Sequence, residues 1–180
     1  MMKQIPDALI IVMVIGIGAC TTESDKANVE KQNDERFVGR VAERNAQFVV
    51  DVLDASYGLM EVAQVAEDRS HSPVSKGQAK EIVEAQTSMI VKLKAYAEFK
   101  EISIPFSGPA RTRNSVKKLY DKKGSDFETA WRDEIEDASA QLERRIMKYQ
   151  DKSDVALDSI LDASLTILRS HRKLINQKNI

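Results

Sequence analysis

Four stretches of this chain repeat apolar residues at spacings of three and four, and that period commits most of its length to amphipathic α-helices. The first occupies roughly residues 36–69, with Val49, Val52, Leu53, Leu59, Met60, Ala63 and Ala66 on one stripe and Tyr57 and Val62 beside it. The second follows Ser72-Pro73 to about Ile102 and aligns Ala79, Ile82, Val83, Met89, Ile90, Leu93, Tyr96 and Ala97, with the polar Gln86 inside the stripe. In the third, roughly residues 125–150, Phe127, Trp131, Ile135, Ala138, Leu142, Ile146 and Tyr149 face one way. The fourth, roughly residues 153–177, does the same with Leu157, Ile160, Leu161, Leu165, Leu168, His171 and Ile175. Between the second and third, Ile104-Pro105-Phe106-Ser107-Gly108-Pro109 stops any helix, because proline removes a backbone donor. A short helix over about residues 114–122 fits the rest of that connection and stops at Gly124. Ser125-Asp126-Phe127-Glu128 has the spacing of a capping box that would open the third long helix. No segment alternates with period two, so the expectation is an all-α, antiparallel four-helix bundle with a short extra helix in its central crossover.

The first residues obey a different rule. Lys3 precedes an unbroken apolar run at residues 8–17 (ALIIVMVIGI), and the small residues Gly18 and Ala19 follow. A membrane-spanning helix needs about 20 apolar residues, so this run reads as a secretory signal rather than a permanent span. Ile17-Gly18-Ala19-Cys20 resembles a bacterial lipobox, and Cys20 is the sole cysteine. The expected organisation is a signal peptide at residues 1–19, lipidated Cys20 and a flexible tether at residues 20–35, and a helical domain at residues 36–180. The tether expectation rests on residues 21–35 (TTESDKANVEKQNDE), whose one branched aliphatic residue offers little surface to bury. Export and membrane attachment through lipid on Cys20 follow; by analogy with lipoprotein sorting in enteric bacteria, Thr21 rather than Asp at the next position favours the outer membrane.

Charge narrows the function classes. Twenty-seven basic residues stand against 28 acidic, a net charge of -1, so no whole-molecule field draws in nucleic acid. Arg111, Arg113, Lys117, Lys118, Lys122 and Lys123 crowd the central connection with only Asp121 against them; a solvated, functionally silent surface is the ordinary reading, and contact with phosphate groups of lipid or polysaccharide is the alternative. The acidic run Asp126, Glu128, Asp133, Glu134, Glu136 and Asp137 lies at the start of the third long helix, whose dipole favours negative charge over its first turn. No phosphate-binding loop, nucleophile with its base, or zinc spacing occurs, so the sequence offers no enzyme chemistry.

Several short segments carry a family resemblance. They are Phe48-Val49 with Leu59-Met60-Glu61-Val62, then Leu93-Lys94-Ala95-Tyr96-Ala97 running to Ile102-Ser103-Ile104-Pro105, then Phe127-Glu128-Thr129-Ala130-Trp131 and Leu168-Arg169-Ser170-His171. In order and spacing they resemble uncharacterised exported bacterial proteins of ferritin-like four-helix fold, often labelled outer membrane proteins. That resemblance implies a ferritin-like bundle. It also implies an Asp-His pair and a further histidine where this chain has Ala85-Gln86 and Ala138-Ser139. Glu61, Gln86 and His171 are then the residues from which a pocket could be built. A ferritin-type dimetal site takes Glu-x-x-His pairs, and none occurs, so neither metal nor other cofactor is expected. Ordinary readings stand beside these: a hydrogen-bonded structural histidine for His171, a paired buried amide for Gln86 and a core aromatic for Trp131. Three functions are carried forward. The first is a non-enzymatic, lipid-anchored envelope module that binds an envelope partner or serves structurally. The others are a ferritin-like metal or redox protein and a small-ligand binder with a pocket between helices.

Overall fold

The computed structural model describes residues 22–149 and 153–176; the expected signal peptide and Cys20 lie outside the described residues. Six helices and no strand occur among the described residues: α1 (Thr22–Arg36), α2 (Arg40–Arg69), α3 (Pro73–Phe99), α4 (Ala110–Tyr120), α5 (Gly124–Tyr149) and α6 (Val155–Ile175). Local chemistry explains several ends. Ser72 caps α3 by accepting from the Ser75 N–H at 3.3 Å, with Pro73 in the first turn where no donor is missed. Asp154 caps α6 by accepting from the Leu157 N–H at 3.0 Å.

The long helices close a circuit of contacts in which α2 and α6 each touch both α3 and α5. The Trp131 indole N–H donates to the Val62 carbonyl at 3.1 Å, and Tyr149 stacks on Phe48 at 4.2 Å, so α5 runs antiparallel to α2. Gln78 donates to the Leu174 carbonyl at 2.8 Å and the Tyr96 hydroxyl donates to Asp154 at 2.9 Å, which makes α6 antiparallel to α3. The interior is filled by large side chains without exposure, among them Trp131, Phe48, Leu53, Ile82, Leu93, Ile135, Leu142 and Leu161. Burying each such aliphatic or aromatic group contributes about 1.5–3 kcal/mol, and this apolar filling holds the helices together.

Helix α2 is covered on more than its core stripe. Gln47, Asp51 and Asp54 face α1, while Gly58, Glu61, Val65 and Asp68 face α4 and the segment before it. Those positions recur at three and four and form one line along α2. Helix α1 covers its first half and α4 its second. The expected flexible tether is therefore corrected over the described part of residues 21–35. Its one branched aliphatic residue, Val29, is 6% exposed, and polar side chains make the hydrogen bonds that hold it. Lys26 reaches Asp51 at 2.6 Å, Gln47 donates to Glu30 at 2.7 Å, and Arg36 donates to the Glu101 carbonyl. Asn33 exchanges two 2.8 Å hydrogen bonds with the Ser103 backbone. Hydrogen bonding, rather than an apolar stripe, docks this segment.

Two further expectations change. Helix α4 begins at Ala110, earlier than residue 114, because Pro109 supplies its extended cap residue. Helix α5 already includes Gly124 and Ser125, so the capping box does not form. Glu128 instead accepts from Ser70 at the end of α2, at 2.6 Å.

Candidate functional site

Three residues were expected to build a pocket, and the structure separates one from the others. Glu61 lies on the line of α2 that faces α4, where it accepts from the Gly108 N–H at 3.2 Å. It borders an open cleft of about 630 Å³ with Val65, Asp68, Arg113, Lys117 and Tyr120. Burial raises the Glu61 carboxyl above its ordinary range, against the Gly108 N–H and the Arg113 charge, which favour the anion. Nothing in this arrangement brings Glu61 to the interior of the helix circuit.

Gln86 and His171 are both interior. Gln86 is fully buried and His171 is 2% exposed, and among the described residues neither the Gln86 amide nor the His171 ring nitrogens have a hydrogen-bond partner. The protein partners that the paired-amide and hydrogen-bonded-histidine readings call for are not found among the described residues. The contacts Gln78–Leu174 and Tyr96–Asp154 fix the register of α3 on α6, which sets Gln86 level with Leu165 and His171 level with Glu81. The two side chains are thus offset along the axis by about 9 Å, too far for a direct hydrogen bond. His171 borders a shallow pocket of about 350 Å³ with Glu81, Ala85, Ser170, Lys173 and Leu174. Burial depresses the imidazole to about 4, so it is neutral at neutral pH and presents one donor and one acceptor.

The same register reveals a feature that apolar periodicity passes over. Phe48–Tyr149 and Val62–Trp131 bracket α2 against α5 and set Ser56 level with Ser139, while Gln86 lies level with the Ser164-Leu165 pair. Ser56, Gln86, Ser139 and Ser164 are each at most 1% exposed, one from each long helix. Ser56 and Ser164 donate to carbonyls of their own helices, Val52 at 2.6 Å and Ile160 at 2.7 Å. The Ser139 hydroxyl and the Gln86 amide have no such outlet. Three small hydroxyls and an amide supply weak ligands and no carboxylate. Among the described residues, no three His, Cys, Asp or Glu side chains stand together as a metal ligand set. A serine on a helix stripe is a faint sequence signal, since the same residue is at home on the solvated side.

Away from the interior, α4 bears exposed Arg111, Arg113, Lys117 and Lys118, and Lys122 and Lys123 follow it. Asp54, 4% exposed, sits where α1 and α4 meet and feels Lys26, Arg111 and Arg145; burial still raises its carboxyl above the ordinary range. No helix among the described residues is long and apolar enough to cross a membrane.

Compared with known families, the chain matches the model described as Domain of unknown function (DUF4142) over residues 26–177. That match includes α1 from Lys26 onward, in keeping with the docking of this helix on α2. No curated protein and no solved structure matches the chain.

Proposed function

The chain belongs to the DUF4142 family, and from that premise we propose that it is a lipid-anchored helical module of the cell envelope. Its role in this reading is structural or partner-binding, without a catalytic site of its own. One observation carries the proposal: the apolar run at residues 8–17 ends in Ile17-Gly18-Ala19-Cys20, just upstream of the helix that docks on α2. The signal would be removed, and the acyl chains on Cys20 would hold the domain to lipid. We further read the circuit of antiparallel contacts, with a long connection from α3 to α5, as a ferritin-type four-helix arrangement. In cells, Cys20→Ala should shift the protein out of the lipid-anchored membrane fraction. Its retention there at full length, resistant to alkaline wash, would favour an uncleaved membrane helix instead.

A second reading, a small-ligand binder, is favoured by the two unpartnered ring nitrogens of His171 at the edge of a 350 Å³ pocket. Native mass spectrometry of the purified protein tests it. A stoichiometric adduct present in the wild type and absent from His171→Leu would support this reading over a purely structural one.

A further inference from the structure

We propose that the basic face of α4 is a docking surface for anionic phospholipid headgroups, and that it holds the bundle side-on to the membrane. The inference rests on the reading that Cys20 is lipidated. Its geometry comes from the line along α2 that α1 and α4 share. Lys26 contacts Asp51 and Asp54, while Pro109, which caps α4, packs within 3.2 Å of where a side chain on Gly58 would begin. Helix α1 runs antiparallel to α2, so its first residue, Thr22, lies one turn beyond Lys26 toward the level of Gly58. Thr22 thus enters beside the start of α4. Cys20 is two residues further upstream, a reach of at most about 7 Å. No long tether intervenes, so acyl chains on Cys20 would bring the α1 and α4 side of the bundle against the headgroups.

That side has the charge such a surface needs. Thr112, Leu119 and the half-buried Ser115 and Val116 turn α4 onto the bundle, which leaves Arg113, Lys117 and Lys118 outward or at its edges. None of Arg111, Arg113, Lys117, Lys118, Lys122 and Lys123 forms an ion pair with a described residue. Arg111 and Arg113 lean toward the carboxylates Asp54 and Glu61. The four lysines have Glu61, Asp68, Asp121 and Glu128 as acidic neighbours and, together with Arg69 and Arg113 beside them, outnumber these carboxylates. Basic residues near an anionic leaflet are attracted individually, and a lipid anchor makes that attraction intramolecular.

The lipidated protein, extracted from membranes, is reconstituted into vesicles of phosphatidylcholine alone or with about one third phosphatidylglycerol, and lysine acylation is followed residue by residue. Lys117, Lys118, Lys122 and Lys123 should react about fivefold more slowly in the anionic vesicles, and high salt should abolish the difference. Lys80 and Lys92 on exposed positions of α3 serve as internal controls and should not change. Equal rates for the four lysines in both vesicle types overturn the proposal even when Cys20 carries lipid. An intact mass showing unmodified Cys20, with salt-sensitive lysine protection on anionic vesicles retained, removes the anchor reading and leaves the basic face standing. Replacing all four lysines by glutamine, as surface changes that leave the packing intact, should abolish the preference for anionic vesicles.

Discussion

Gln86 and His171 hold polar atoms inside a packed helical interior without partners among the described residues. An unpaired buried amide costs about 1–3 kcal/mol relative to an apolar group of the same shape. Gln86→Met should therefore raise stability by about 1–2 kcal/mol, read from the urea midpoint at constant slope. A loss of stability would show that the amide is satisfied in solution, by water or by a bound molecule. His171 gives a pH signature. Its folded value of about 4 lies below the 6.5 of the unfolded chain, so the unfolded state takes the proton first. Stability should be complete above pH 6.5, fall as the pH drops from there to about 4, and level off below. The full span is about 3 kcal/mol, and His171→Leu should flatten that part of the profile. Trp131 was legible as a core aromatic from its place on the stripe, and it is fully buried. The unpaired state of Gln86 and His171 was not, because a stripe tells which way a side chain points and not what awaits it there.

At the level of elements, the four long helices were legible because each has an aliphatic stripe of helical period. Helix α1 was not, since Val29 alone offers apolar surface and the rest of its docking is done by Lys26, Glu30, Asn33 and Arg36. Composition equates a polar segment with a loose one, and that equation fails where polar side chains find backbone partners. Asn33→Ala should cost about 2 kcal/mol, as it strands both backbone groups of Ser103, and should speed amide exchange throughout α1. Unchanged exchange in α1 would show that Asn33 does not secure it. Helix α4 depends on a close approach at Gly58, where an added Cβ would stand 2.5 Å from Thr112 Oγ1 and 3.2 Å from Pro109 Cδ. Gly58→Ala should loosen α4, costing about 1–3 kcal/mol and exposing the 110–120 segment to protease. Resistance equal to wild type would mean that α4 shifts to accommodate the methyl group at little cost.

For the whole molecule, the two accessory helices lie end to end along one line of α2, and the chain enters the bundle where they meet. Under the proposed lipidation of Cys20, the anchor would precede this point by two residues, and anchoring would also set orientation. Glu61 shows how the same layout escaped the sequence. The family resemblance groups it with Gln86 and His171, yet α2 is covered on a second side, and Glu61 belongs to that side with Gly108 and Arg113. A one-stripe reading of a helix cannot see a second covered line made of Gln47, Asp51, Asp54, Gly58, Glu61 and Val65, most of which are polar or small. The chemical state of Cys20, two residues before α1, decides whether the proposed envelope anchor exists. Intact-mass spectrometry of the protein extracted from the membrane fraction measures this directly. The predicted species begins at Cys20, lacks residues 1–19 and carries a diacylglyceryl group. A chain that keeps residues 1–19, or one that begins at Cys20 with a free thiol, would contradict it.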